Sequence, residues 1–218
     1  MTTLLEVKLR NAVPMPPRLP RPVMVSSVHR EAGRSRMPEH DLVAVWEAHC
    51  RYEFETRDVD ATMATMVEVP YVNHVPTMAG GVGHDELKRF YKYHFIGANP
   101  PDTAFTPISR TVGENSIVDE MLFSFTHTSP IDWMLPGIPP TGRKVEVALV
   151  AIVRFRGDKL VHEHIYWDQA SVLVQIGKLD PNGLPVAGAE SARKVMDKTL
   201  PSNTLMQAEW RRSEGKPI

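Results

Sequence analysis

The stretch "KVEVALVAIVRFRGDKLVHEHIYWDQ" (144–169) decides the fold. Its first half alternates: Val145, Val147, Leu149, Ala151, Val153 and Phe155 are all apolar, and the intervening positions include Glu146 and Arg154. A period of two marks a strand with one buried face. Gly157–Asp158 then turns the chain into a second strand, so the two halves form an antiparallel hairpin. The second strand is ambiguous. Its even set is Leu160, His162, His164, Tyr166 and Asp168; its odd set is Val161, Glu163, Ile165, Trp167 and Gln169. Hydrophobicity alone does not choose between them. If the even set faces inward, an acid and two imidazoles enter an apolar space where charge is expensive and pKa values shift, which marks a candidate site. If the odd set faces inward, the even set is a solvated or interface surface.

Two more strands precede this hairpin. "TAFTPISRTVG" (103–113) and "NSIVDEMLFSFTHT" (115–128) flank the turn residues Gly113–Glu114–Asn115. Met121, Phe123, Phe125 and His127 share the more apolar face of the second. Upstream, the period becomes helical. In 37–58, Leu42, Val43, Val45, Trp46, Cys50 and Phe54 recur near i, i+3, i+4 spacing, which predicts an amphipathic helix with Pro38 in its first turn. "DVDATMATMV" (58–67) reads as a shorter helix capped by Asp58 or Asp60. "VPYVNHVPT" (69–77) reads as a strand, "GGVG" (80–83) as a break, and "HDELKRFYKYHFIG" (84–97) as a third helix stopped by Gly97. Helices before a run of hairpins predict an α+β fold, a curved antiparallel sheet closed over by helices.

The remaining composition bounds the function. The chain has 218 residues, 42% hydrophobic, with a formal net charge of −1. Such a balance gives no general pull toward nucleic acid or an anionic membrane. The single Cys50 excludes an internal disulfide framework and a multi-cysteine zinc site. No apolar run is long enough to span a bilayer and no secretory leader is visible, so a cytoplasmic protein is the expectation. Residues 1–36 are basic and proline-rich. They read as a surface arm, with a start at Met37 or a transit peptide as alternatives. The organisation expected is that arm, a folded domain over 37–177, and a polar tail over 178–218 with one short helix near 190–198. No G-x-S-x-G occurs, and no phosphate-binding glycine motif.

Several motifs together resemble the SnoaL-like polyketide cyclase family, within the nuclear transport factor 2-like superfamily. They are "THT" (126–128), "GIPPTG" (137–142), "VRFRGDKLVHEH" (153–164), "YWDQASVLVQIG" (166–177) and "YVNHVP" (71–76). The resemblance covers roughly 38–177. It implies a cone-shaped barrel of a strongly curved antiparallel sheet covered by N-terminal helices, a small organic ligand in the cone, and a homodimer. It also implies acid–base chemistry by an Asp or His without cofactor or metal, and it favours the inward reading of the even set.

On that basis Asp168 is the expected general base, with His164 and His127 as catalytic partners. Tyr166, His74, Tyr71, Trp133, Phe123, Phe125, Met121 and Leu149 are the expected substrate-binding residues. His162 and His164 lie two apart and, with Asp168, have the donor types of a metal site, but no companion motif supplies the remaining ligands. The loop 129–142, with Trp133, Met134 and Leu135, reads either as a lid over an apolar substrate or as a dimer contact. The expected activity is a cyclase-, isomerase- or lyase-type proton transfer next to a carbonyl. The alternatives are a non-catalytic binding or assembly module and a hydrolase activating water in the same pocket.

Overall fold

The computed structural model describes residues 40–218. The basic arm of 1–36 and Pro38 therefore lie outside the described residues. Helix α1 (Leu42–Phe54) begins where Asp41 accepts a hydrogen bond from the Ala44 amide at 3.0 Å. That bond satisfies one of the amides a helix N-terminus leaves open. Its buried residues are Leu42, Trp46, His49 and Glu53. Two of these four are ionisable, so the inward stripe of α1 is half polar. Helix α2 (Val59–Ala64) is capped by Asp58, which accepts from the Ala61 amide.

Strand β1 (Met66–His74) turns into β2 (Ala79–Val82), paired Asn73 to Gly80. The "GGVG" segment is thus mostly a strand rather than a break. Gly80 is required there: a Cβ would meet the Val72 carbonyl oxygen at 2.0 Å, and its φ of +143° is one that side chains rarely adopt. Helix α3 (His84–Phe90) runs on into a wide π-helical turn (Tyr91–Phe95), where the Ile96 amide bonds the Tyr91 carbonyl. This turn buries both Tyr91 and Phe95. The four predicted hairpin strands follow as β3 (Ala104–Val112), β4 (Ser116–Thr126), β5 (Lys144–Arg156) and β6 (Lys159–Trp167).

The six strands make one sheet in the order β2-β1-β6-β5-β4-β3. All neighbours are antiparallel except β1 and β6, which are parallel. The sheet is therefore mixed, which corrects the wholly antiparallel expectation. The cause is the path of the chain: after the β1–β2 hairpin it crosses through α3 to the far edge and returns strand by strand, so β6 arrives beside β1 pointing the same way.

The inner face carries the core. Val145, Val147, Leu149, Ala151, Val153 and Phe155 are all buried, as their alternation predicts. Phe123 and Phe125 of β4 join them, with Trp46, Tyr91 and Phe95 from the helices. Ile131, Trp133, Met134 and Leu135 of the β4–β5 loop are also buried. The Thr77 hydroxyl and the Gln169 side-chain amide donate to the Trp133 and Met134 carbonyls. The loop is part of the wall, not an open lid. After β6 the chain forms α4 (Gln169–Gln175), and the tail contributes α5 (Ala189–Met196), tied to β5 by an Arg193–Glu146 ion pair at 2.7 Å. Among the described residues, no helix is long and apolar enough to cross a membrane.

Candidate active site

A cavity of about 470 Å³ lies between α1, the π-helical turn and the inner sheet face. Much of its wall is aromatic: Trp46, Phe54, Tyr91, Phe95, Phe105 and Trp133 all contribute. Into this apolar surface α1 and β6 insert two buried carboxylates, Glu53 and Glu163. Behind them sits His49, fully buried, with Nε2 at 3.1 Å from Glu53 Oε1 and 3.2 Å from Glu163 Oε1. His49 and Glu53 share a face of α1 because they are four residues apart.

The proton positions in this cluster follow from its bonds. The Thr65 hydroxyl donates to the Thr62 carbonyl at 2.6 Å, so it can only accept from His49 Nδ1, also at 2.6 Å. Nδ1 is thereby a donor. Nε2 then faces two carboxylate oxygens and needs a proton of its own. Burial pulls the His49 imidazole down, but Glu53 and Glu163 together outweigh it and raise the group to about 10. Burial pushes the Glu53 carboxyl up, with His49 opposing and Glu163 adding to the rise. Glu163 accepts both from His49 and from the Tyr91 hydroxyl, at 3.3 Å. The Tyr91 phenol is held well above its ordinary range by burial and by Glu163 and Glu53. Two carboxyl groups that share one N–H donor in an apolar wall can divide the roles of acid and base.

The same atoms have the composition of a metal site. His49, Glu53 and Glu163 offer three ligand atoms within 4.8 Å of one another. A divalent cation bound there would take the place of the Nε2 proton, with Thr65 orienting the ring through Nδ1.

A second polar group lies toward the mouth. Asp119 of β4 accepts from Arg110 Nε at 2.9 Å, from Arg110 Nη2 at 2.8 Å and from the Trp46 indole at 2.8 Å. Arg110 Nη1 reaches Glu47 at 2.8 Å. Asp119 is fully engaged, and its role is to fix Trp46 and Arg110. At another wall His74 is buried among Phe90, Phe95, Trp133 and Trp167. Its Nδ1 bonds the Ala79 carbonyl at 3.2 Å, and Nε2 has no partner among the described residues. Burial holds this imidazole down to about 4, against the pull of the Ala79 carbonyl and Glu163, so it is neutral at pH 7.

The residues expected from the sequence divide. His74, Trp133, Met121 and Leu149 line the cavity. Phe123 and Phe125 are buried in the adjacent core. Asp168, His164, Tyr166 and Tyr71 do not reach the cavity. Asp168 is the N-cap of α4, accepting from the Ser171 amide at 3.2 Å. His164 stacks on His162 at 4.3 Å and packs edge-on against Tyr71 at 5.3 Å, on the outer face. Tyr166 is exposed there too. His127 is buried against the β4–β5 loop, with Nδ1 at 3.2 Å from the Thr141 hydroxyl; its Nε2 has no partner among the described residues. It does not line the cavity.

The inward reading of the even set is thus corrected, and the reason is local. Arg154 pairs with His162 but Phe155 pairs with Leu160, a one-residue register shift. A bulge of this kind reverses which parity faces inward. Leu160 is buried before it, and Glu163, Ile165 and Trp167 are buried after it. Of the residues the sequence reading missed, Asp119 was accessible: it lies on the same parity as Met121 and Phe123. His49 and Glu53 carried only their i, i+4 spacing.

A model of the SnoaL-like domain matches residues 46–163. This chain belongs to the SnoaL-like domain family. The match begins at Trp46 and ends at Glu163, both in the cavity wall. Among solved structures, TsrD from Streptomyces laurentii is 20% identical, with a TM-score of 0.51, covering 65% of this chain and all of that one (100%). A provisional SnoaL-like polyketide cyclase from Jannaschia sp. CCS1 is 18% identical, with a TM-score of 0.50, covering 68% of this chain and 100% of that one. An NTF2-like protein of unknown function from Burkholderia pseudomallei K96243 is 18% identical, with a TM-score of 0.48, covering 62% and 96%. These likenesses concern the fold. Comparison with curated proteins found no match.

Proposed function

We propose that the protein is an acid–base enzyme that moves a proton on a small, largely apolar molecule held in the cavity, next to a carbonyl or an equivalent electron-withdrawing group. The reaction class is a cyclisation, isomerisation or lyase step. The observation that carries the reading is the pair Glu53 and Glu163, buried in the wall of an aromatic cavity and sharing the N–H of His49. Glu163, held by two donors, is the base. Glu53, pushed up by burial, is the acid that returns the proton. Tyr91 holds Glu163 in place. Asp168, His164 and His127 have no part in this step. The chemistry requires no cofactor, and the polyketide cyclase description of a neighbour is in keeping with it. The reading includes a homodimer through the outer sheet face, where Tyr71, Ile152 and Tyr166 are exposed.

The test is a panel of enolisable ketones incubated in deuterated buffer, with exchange at the α-carbon followed by NMR. Wild type should exchange the protons of ketones that fit the cavity. Met121→Trp, which fills the cavity from β4, should abolish exchange while keeping the circular dichroism of the wild type. Exchange that persists with the cavity filled would place the chemistry elsewhere.

A further inference from the structure

We infer that the natural ligand of this cavity carries a protonated amine, rather than being neutral or anionic. This rests on the reading of the cavity as the substrate site and names the class of molecule it takes.

The first observation is charge. Six carboxyl groups line the cavity, Glu47, Glu53, Glu55, Asp119, Glu120 and Glu163, against two guanidinium groups, Arg51 and Arg110. Arg110 is consumed by Asp119 and Glu47. Arg51 is exposed and lies over the Tyr52 ring. Glu120 has only the Ser109 hydroxyl, at 2.8 Å. Even with Glu53 holding its proton and His49 charged behind the wall, the carboxylates outnumber their cations. A negative cavity with apolar walls concentrates cations and repels anions.

The second observation is independent of charge and concerns hydrogen bonding. The indole and phenol donors around the cavity are already used. The Trp46 indole donates to Asp119, the Trp133 indole to Asn99 at 3.1 Å, and the Tyr91 hydroxyl to Glu163. What is left open is an acceptor. His74 lines the cavity, is 3% exposed, and keeps its unpartnered Nε2 as a lone pair, because Nδ1 donates to Ala79. Its neutrality at pH 7 makes that lone pair permanent. A ligand that brings a donor can therefore satisfy it. A ketone or carboxylate brings only acceptors, whereas an ammonium brings several donors and a charge.

The third observation is the aromatic wall. Phe95 and Trp133 pack at 5.3 Å, and Phe54 and Phe105 at 4.6 Å, in the same wall as the acids. Ring faces attract cations, the more so when water is excluded. Charge, open acceptors and rings all select the same ligand. The consequence for the chemistry is one of placement. The ammonium, held against the acids, seats the ligand so that a C–H beside the ligand's own carbonyl or imine faces Glu163, and that carbonyl or imine takes up the electron pair when the proton leaves.

The experiment compares three ligands of one skeleton by calorimetry: phenethylammonium, 2-phenylethanol and phenylacetate. The ammonium should bind roughly tenfold tighter than the alcohol, a margin typical of a desolvated cation–aromatic contact. The carboxylate should be weakest, and the ammonium advantage should shrink as salt is added. Glu120→Gln should weaken only the ammonium, by a few-fold. Equal binding of ammonium and alcohol, tightest binding of the carboxylate, or ammonium binding that survives Met121→Trp would each overturn the inference. Its fate is separable from that of the proton-transfer reading. Neutral ketones that exchange freely with no ammonium preference would sink this inference alone. A clear ammonium preference with no exchange on any ketone, amine-bearing or not, would sink the other alone.

Discussion

Acidification should destabilise this protein through His74 in a window that can be stated in advance. The imidazole lies at about 4 in the folded protein and near 6.5 when unfolded. Between those values the unfolded chain binds a proton that the folded one does not. Stability from this group is therefore complete above about pH 6.5 and is lost as pH falls toward 4. A difference of that size corresponds to about 3 kcal/mol at the bottom of the window. The perturbation is His74→Phe, which keeps a ring among Phe90, Phe95, Trp133 and Trp167 and removes the titration. The assay is urea unfolding of both proteins at about pH 7 and about pH 4. Wild type should lose about 3 kcal/mol more than the variant over that interval. His49 does not confuse the comparison, because it is present in both proteins and its contribution cancels in the difference. Equal losses in the two proteins would mean that His74 is not held neutral, and the argument for an open acceptor in the cavity would fail with it.

Other outcomes follow from the same geometry. His49 behaves in the opposite sense: its stabilisation is complete below about pH 6.5 and is lost as pH rises through 10, so His49→Gln should flatten the alkaline decline in unfolding free energy. Asp168→Ala should cost roughly 1 kcal/mol, the usual worth of a helix N-cap, and leave deuterium exchange unchanged. Arg110→Ala should cost on the order of 2 kcal/mol in thermal or urea unfolding, because the buried side chain of Asp119 loses two of its three hydrogen-bond donors. Exchange activity should survive exhaustive treatment with a chelator, whereas added divalent cations that displace the His49 proton should suppress it.

Much of the fold was legible because it rests on periodicity. The alternation of β5 and the hairpin turns at Gly113 and Gly157 predicted four strands at close to their observed positions. The parallel pairing of β1 with β6 was not legible, since residues as distant in sequence as Tyr71 and His162 must meet and no local pattern records it. The β2 strand was hidden by its glycines, which serve close backbone approach rather than a break. The site was legible only in part. Strand parity puts His74 on the face opposite Tyr71 and Asn73, and the same rule was available for Asp119. It failed on β6, where one bulged residue exchanges the two faces. Leu160 faces inward before the bulge, and its parity does not carry over to His164, Tyr166 and Asp168 beyond it. The α1 cluster was missed for another reason. A helix face is read by its apolar residues, and His49 and Glu53 are buried as a mutually satisfied polar group, which hydrophobic patterning does not register.

The central claim is that proton transfer belongs to the buried carboxylate pair and not to the polar outer strand end. It is tested most directly by measuring α-carbon deuterium exchange on one responsive ligand with Glu163→Gln and Asp168→Asn side by side. Glutamine keeps the shape of Glu163 without its basicity, and asparagine still caps α4. The account predicts exchange at the background rate for Glu163→Gln and at the wild-type rate for Asp168→Asn. The reverse pattern, with Glu163→Gln active and Asp168→Asn silent, would contradict it.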